Sequence, residues 1–288
     1  MKRLVTSLFF VFCPLAAPLL AQTTIGGGTC SSGSLTGTYS VSLTARLVPN
    51  GTFAGVFQST GVATFDGLSA VTINLTANTG QALGTALSWA GTYSVQSNCA
   101  GVINVTGGAS QVFNVAVYNS GSDFIISGRD ANSYTYSGSG NLQQAACSAG
   151  VEPGVYAYSA TGYLLNGTTI SGVQNGSGLI QFSGVSSVTV NVTMLALGVS
   201  PKVLTLTGPY SISSNCMGSA VLADVSNNSY ALSFSIYNVS SANAGIDVGL
   251  AQAGKFLVTG GAHVAFGQPS ATAAAKPESV PGNRGGRA

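Results

Sequence analysis

Charged residues are scarce in this sequence. Only 6% of its 288 residues are charged, against roughly 25% in ordinary soluble domains. Between residues 30 and 268, four basic side chains stand against six acidic ones, a balance of 4 − 6 = −2. The sequence therefore provides no basic surface for nucleic acid or for an anionic membrane, and we predict neither as a partner.

Residues that commonly build catalytic and metal sites are also missing. The chain has one histidine, His263, and no Gly-x-Ser-x-Gly nucleophile motif, so a serine hydrolase would lack its base. The acidic residues form no calcium loop and no repeated carboxylate pair. We predict no catalytic residue, no metal and no cofactor. A secreted hydrolase or cyclase is the enzymatic alternative, and it would need an acid, base or nucleophile cluster.

The third absence is helical periodicity. Apolar and polar residues alternate instead, which is the period of a half-buried strand. Val71, Ile73 and Leu75, for example, are separated by polar residues, and pairs such as Asn166-Gly167 mark turns between the runs. The first part of the body contains eight predicted strands, near residues 37–48, 53–65, 69–77, 86–96, 101–106, 111–119, 123–129 and 133–142.

What the sequence does contain is a repeat of 117 residues. Cys30 and Cys99 are 69 residues apart, and so are Cys147 and Cys216. Repeated cysteines in an exported chain predict two disulfides, Cys30–Cys99 and Cys147–Cys216. Each would tie a lead-in segment to the turn after a fourth strand. The predicted organisation is a signal peptide at 1–22, a Gly/Ser-rich lead-in at 23–36, β module 1 at 37–146, β module 2 at 147–268 and a disordered tail at 269–288.

The ends of the chain indicate export. Lys2 and Arg3 precede an apolar stretch, and Ala21 suits cleavage before Gln22. We therefore predict a secreted protein, located outside the cell, at its surface or in the periplasm. No membrane span is predicted. A division into two equal modules, each with its own predicted disulfide, disfavours an outer-membrane barrel.

The fold class is all-β, with two tandem antiparallel modules of about eight strands each. An up-and-down barrel is favoured over a sandwich, because an open sheet needs charged or proline-blocked edges and these strands have almost none. An immunoglobulin-like sandwich fits the cysteine spacing. Its tryptophan would follow the first cysteine, however, whereas Trp89 lies ten residues before the second.

Two short elements resemble known proteins. Gly37-Thr38-Tyr39 and Gly154-Val155-Tyr156 are similar to the Gly-x-Trp element that opens the first strand of lipocalin-like (calycin) barrels, with Tyr in place of Trp. The repeated Gly-x-Tyr-Ser-[Val/Ile]-x-Ser-Asn-Cys element resembles uncharacterised secreted bacterial β-repeat proteins. The first resemblance implies a small β-barrel with an aromatic plug at its closed end, and the second implies no activity.

The remaining candidates for function are aromatic. We interpret five of them as core residues that could alternatively line a ligand cavity: Tyr39, Trp89, Tyr93, Tyr156 and Tyr210. The predicted function is that of a secreted, non-catalytic structural or interaction component at a surface or in a matrix. The alternative is a carrier of a small apolar ligand in a lipocalin-like barrel. Its partners would be other proteins, further copies of the chain or that ligand.

Overall fold

The chain folds into two closed antiparallel β-barrels. The computed structural model describes residues 29–48, 55–106, 111–130, 134–143, 147, 154–183, 186–237 and 245–265. Barrel 1 is formed by β1 (Thr36–Leu47), β2 (Gly55–Asp66), β3 (Ala70–Thr79), β4 (Thr85–Val95), β5 (Ala100–Val105), β6 (Gln111–Tyr118), β7 (Asp123–Asp130) and β8 (Tyr134–Leu142). Barrel 2 is formed by β9 (Gly154–Asn166), β10 (Thr169–Ser183), β11 (Ser187–Ala196), β12 (Val199–Ile212), β13 (Met217–Ala223), β14 (Ser229–Tyr237), β15 (Gly245–Gln252) and β16 (Phe256–Val264).

Each barrel is an up-and-down meander. Every strand pairs with its neighbour in sequence, and β1 with β8 and β9 with β16 complete the two rings. The all-β class and the two tandem barrels are confirmed, and the predicted strands of the first module end within two residues of the observed ones. Closure pairs the outermost strands with each other, so strands with few charges need no separate edge protection.

One end of each barrel, the disulfide end, is fixed by a repeated turn. Cys30–Cys99 joins the segment before β1 to the turn between β4 and β5, and Cys147–Cys216 makes the equivalent link before β13. Cys99 and Cys216 have φ values of 66° and 65°, and the amide of each donates to the carbonyl three residues earlier. The Ser-Asn-Cys sequence therefore builds the same left-handed turn twice.

Aromatic rings fill the disulfide end of both barrels. They are Tyr39, Phe65, Tyr93 and Phe124 in barrel 1, and Tyr156, Phe182, Tyr210 and Phe234 in barrel 2. Phe124 covers Gly140 on the adjacent strand, and Phe234 covers Gly218, where an added Cβ would collide with the ring. A glycine thus provides the space for one large ring in each barrel.

The barrels pack against each other through their outer faces. Val56 on β2 forms a small apolar cluster with Leu165, Ala251 and Leu257 of barrel 2. Around this cluster the contacts are polar, including Thr44 Oγ1 to Thr259 Oγ1 at 3.3 Å and Gln143 Nε2 donating to Ile236 O at 2.9 Å.

A buried carboxyl group lies at the centre of this interface. Asp247 on β15 is 5% exposed and accepts a hydrogen bond from Ser40 Oγ at 2.5 Å. The side chain of Asn141 makes a second hydrogen bond to it. Ser40 Oγ also lies 2.6 Å from Ser235 Oγ, so Ser235 can donate to Ser40 while Ser40 donates to Asp247. Burial is the largest effect on this carboxyl and raises its pKa to about 6.

Several sequence predictions fall outside this part of the chain. The signal peptide, the lead-in before residue 29 and the tail at 269–288 lie outside the described residues, and the module boundaries remain predictions. Within the described ranges, no helix has the length and apolar character needed to cross a membrane.

Candidate functional site

Four of the five aromatic candidates lie at the disulfide ends. Tyr39, Tyr93 and Tyr156 are each at most 3% exposed, and Tyr210 is 8% exposed. The Tyr39 hydroxyl donates to Gly121 O at 2.6 Å and the Tyr93 hydroxyl to Leu35 O at 2.8 Å. Burial raises the pKa of both phenols. In barrel 1 these tyrosines therefore pack in the core and tie loops to it.

The fifth candidate, Trp89, lies at the opposite end of barrel 1, which we call the far end. There it belongs to a cluster of five rings with centroids 5.2–6.3 Å apart: Phe57, Trp89, Phe113, Tyr134 and Tyr136. The Tyr136 hydroxyl donates to Asp130 Oδ2 at 2.9 Å. Burial and this hydrogen bond raise the pKa of Tyr136. Aromatic side chains thus fill the far end of barrel 1.

The far end of barrel 2 has smaller side chains at three equivalent positions, although a larger one, Tyr230, stands where barrel 1 has Gln111. The repeat of 117 residues places Gln174 where barrel 1 has Phe57, and Leu206 where it has Trp89. Strand pairing gives the other matches. Tyr136 pairs with Ala45 on β1, and Val258 pairs with Gly162 on β9. Because Gly162 lies 117 residues after Ala45, Val258 is the equivalent of Tyr136. Three of the rings that fill barrel 1 are therefore replaced by an amide and two aliphatic side chains.

A cavity occupies the far end of barrel 2. Its volume is about 370 Å³, toward the lower end of the range of about 300–1,000 Å³ typical of small-molecule sites. The side chains around it belong to β9–β12, β15, β16 and the connecting turns. They are Leu164, Leu165, Gln174, Met194, Ala196, Val199, Ser200, Lys202, Leu204, Asn228, Gln252, Lys255 and Phe256.

Seven of the thirteen side chains around this cavity are apolar, and one of the six polar ones, the amide of Gln174, is buried. Met194, Leu204 and Phe256 are at most 5% exposed, and so is Gln174. The Gln174 Oε1 atom is buried without a hydrogen-bond partner. A buried acceptor in this state costs about 1–3 kcal/mol, so a ligand that donates a hydrogen bond here would remove that cost.

Two lysines stand at the mouth of the cavity. Lys202 precedes Leu204 and Leu206 on the inward-facing side of β12, and Lys255 lies in the turn before β16. Asn228, which also lines the cavity, donates from Nδ2 to Asp224 Oδ2 at 2.8 Å, and the Tyr230 hydroxyl donates to the same oxygen at 2.9 Å. Hydrogen bonds lower the pKa of Asp224 to about 2, and the one from the Asn228 side chain has the largest effect.

Two larger depressions are weaker candidates. A groove of about 1080 Å³ on barrel 1 follows its last three strands, past Val112 and Arg129, and reaches the far-end rings of Tyr134 and Tyr136. A cleft of about 560 Å³ lies between the barrels and contains Asn78. Asn78 already donates to Ser233 Oγ and accepts from Gly84 N. Among the described residues, neither depression is lined by a side chain whose buried polar atom lacks a hydrogen-bond partner.

Catalytic and metal-binding clusters do not emerge from the described part of the chain. There, no group of three or more His, Cys, Asp or Glu residues could hold a metal ion. His263 is an exposed residue of β16 whose ring contacts that of Tyr237, with centroids 6.4 Å apart.

The residues of the cavity were not among the sequence-based candidates, which were all aromatic. A signal was present, because Gln174 and Lys202 interrupt the apolar, inward-facing positions of β10 and β12. In the first repeat the matching residues are Phe57 and Thr85. Comparing the inward-facing residues of the two repeats would have found the site.

Comparisons with known proteins add little to this geometry. No protein-family model matches the chain, and no curated protein is similar to it. Among solved structures, the chain is similar to isotype 1 transferrin binding protein B (TbpB) from serogroup B Neisseria meningitidis. The identity is 10%, the TM-score is 0.25, and the match covers 80% of this chain and 77% of that chain. A similarity at this level carries no functional argument.

Proposed function

We propose that this chain is an exported, non-catalytic binding protein that holds one small apolar ligand at the far end of barrel 2. The observation that carries the proposal is the cavity of about 370 Å³ at the position that aromatic rings fill in barrel 1. The two barrels share one architecture and differ in the side chains at this end, where Gln174, Leu206 and Val258 stand in place of three rings. The two disulfides support an oxidising compartment.

The chemistry of the cavity supports binding rather than catalysis. Its described lining offers aliphatic groups, one aromatic ring, one thioether, three amides, a serine and two lysines, and it includes no histidine, cysteine or carboxylate, the groups that most often act as nucleophile, acid or base. Barrel 1 would then act as a scaffold that supports barrel 2 through their shared interface. Sequence reasoning placed carriage of an apolar ligand second, and the cavity is the reason to place it first.

Filling the cavity should abolish binding. In Gln174→Phe, the ring that barrel 1 carries at this position would occupy the ligand space. We expect the affinity for decan-1-ol, measured by titration calorimetry on the full chain, to fall by about tenfold or more, equivalent to at least ~1.4 kcal/mol. Val173→Phe is the matched control, because Val173 is the adjacent residue on the same strand and is 61% exposed. Equal affinities in wild type and Gln174→Phe would contradict the proposal.

A second function, self-association, is favoured by the exposed residues beside the cavity. Leu197 is fully exposed in the turn between β11 and β12, Val199 is 59% exposed and Val203 is 72% exposed. Exposed aliphatic groups grouped in this way are typical of interaction surfaces. A second copy of the chain is the proposed partner, because the surface carries few charges that would repel it.

Light scattering after size-exclusion chromatography tests this second function. We expect the average mass of the wild type to rise with concentration, and we expect Leu197→Ser/Val203→Ser, which changes no residue of the cavity lining, to remain monomeric. Ile125→Ser is the control, because Ile125 is 54% exposed on barrel 1, away from this surface. A wild type that stays monomeric at every concentration would refute self-association and leave the cavity unaffected.

A further inference from the structure

The polar groups of the cavity restrict the kind of ligand that it can hold. Most of the wall is aliphatic or aromatic, which suits a hydrocarbon chain. The unpartnered Gln174 Oε1 is an acceptor, so it requires a donor, and a hydrocarbon has none. A plain alkane would leave this oxygen without a hydrogen-bond donor.

The lysines at the mouth of the cavity favour an anionic group on the ligand. Lys202 and Lys255 are exposed there and carry only N–H donors. Asp224 is already engaged by Asn228 and Tyr230. An anionic group on the ligand would therefore meet two ammonium groups at the point where the ligand leaves the barrel.

We propose that the site takes a single-chain amphiphile whose polar end combines a carboxylate with a hydroxyl group, as in a 3-hydroxy fatty acid. The hydroxyl donates to Gln174 Oε1, the carboxylate accepts from Lys202 and Lys255, and the alkyl chain packs against Met194, Leu204 and Phe256. This inference rests on the proposed function, because it requires that the cavity be a binding site. Barrel 1 has Phe57 and Thr85 in place of Gln174 and Lys202, and its own buried amide oxygen without a partner belongs to Gln111, whose Nε2 donates to the Tyr136 hydroxyl.

Three soluble probes separate the contributions of the hydroxyl group, the carboxylate and the alkyl chain to affinity. They are 3-hydroxydecanoate, decanoate and decan-1-ol, and each is titrated into the full chain at low ionic strength. We expect 3-hydroxydecanoate to bind about fivefold more tightly than decanoate, the effect of one hydrogen bond. Gln174→Leu retains the side-chain size and should remove this preference. Lys202→Met should weaken binding of both acids about threefold, without affecting decan-1-ol. Arg129→Met on barrel 1 changes the net charge equally and should change nothing.

The alternative outcomes are distinct. Equal affinity for all three probes would overturn the assignment of the polar groups, while the cavity would remain an apolar site. If none of the probes bound, both this inference and the proposed function would be wrong. Phosphatidylglycerol vesicles present the same anionic chemistry on a lipid surface, and we expect the protein not to sediment with them. Sedimentation with vesicles in the absence of binding to soluble 3-hydroxydecanoate would overturn the inference in favour of a lipid headgroup.

Discussion

Removing the Cys147–Cys216 disulfide by Cys147→Ala/Cys216→Ala is expected to lower the free energy of unfolding by about 4 kcal/mol. The bond closes a loop of 69 residues, and in the chain-entropy model a loop of this length strongly restricts the unfolded chain. Cys216 is also fully buried, so its loss removes packing at the disulfide end. Denaturation in urea under non-reducing conditions, followed by circular dichroism, measures the change.

The single tryptophan makes this experiment specific for each barrel. Trp89 lies in the core of barrel 1, so its fluorescence follows barrel 1, whereas circular dichroism follows both barrels. The matched variant Cys30→Ala/Cys99→Ala opens a loop of the same 69 residues and should cost a similar free energy. If the interface couples the barrels, the fluorescence transition will shift in both variants. A change below about 1 kcal/mol in either variant would contradict the entropic argument.

The fold was accessible from the sequence because its signals are local. Alternation along a strand shows which residues face inward, and turn pairs such as Asn166-Gly167 show where a strand ends. Barrel closure followed from the lack of charge at potential edges. The equal spacing of the cysteines, with Cys30 before the first strand, indicated which segments the bonds would join.

The cavity depends on contacts that the alternation pattern does not contain. The pattern places Gln174 inside the barrel, but it does not indicate whether side chains from the opposite strands fill the space beside it. In barrel 1, Phe57 meets Tyr134 and Tyr136 from a strand almost 80 residues later in the chain. In barrel 2, that comparison requires the register of β16 against β9, which only the structure provides.

The interface between the barrels could not be predicted from the alternation pattern, because the pattern does not show which outer face another barrel covers. Asp247 alternates with Ile246 and Val248, so the pattern assigns it to the outer face of barrel 2, where a carboxylate is normally solvated. The outer face of β15 is instead covered by barrel 1. A hint lay in Leu257 and Val258, two consecutive apolar residues of β16, since a strand buried on both faces loses its alternation.

Replacing the buried carboxyl is expected to stabilise the protein at high pH. Asp247 has a pKa of about 6 in the folded protein, against 3.8 for an ordinary aspartate. The folded state therefore binds its proton more tightly, and the free energy of unfolding falls as pH rises from about 4 through 6. The total loss is about 3 kcal/mol. Asp247→Asn remains neutral, so its stability relative to wild type should increase by up to this amount above pH 6.

Denaturation in urea between pH 3 and pH 8 tests this expectation. The titratable groups near Asp247 include Tyr237. Burial raises the pKa of Tyr237, and the Asp247 and Asp123 carboxylates raise it further. Tyr237 stays protonated between pH 3 and pH 8 in both proteins, so the difference between the two stability curves reports Asp247. Asp224→Asn is a control of opposite sign. Hydrogen bonds lower the pKa of Asp224 to about 2, so its removal should destabilise the protein at neutral pH, and the difference should disappear as pH falls toward 2.

Parallel curves for wild type and Asp247→Asn would show that the interface tolerates the ionised carboxylate, because the hydrogen bonds from Ser40 and Asn141 would then offset its burial.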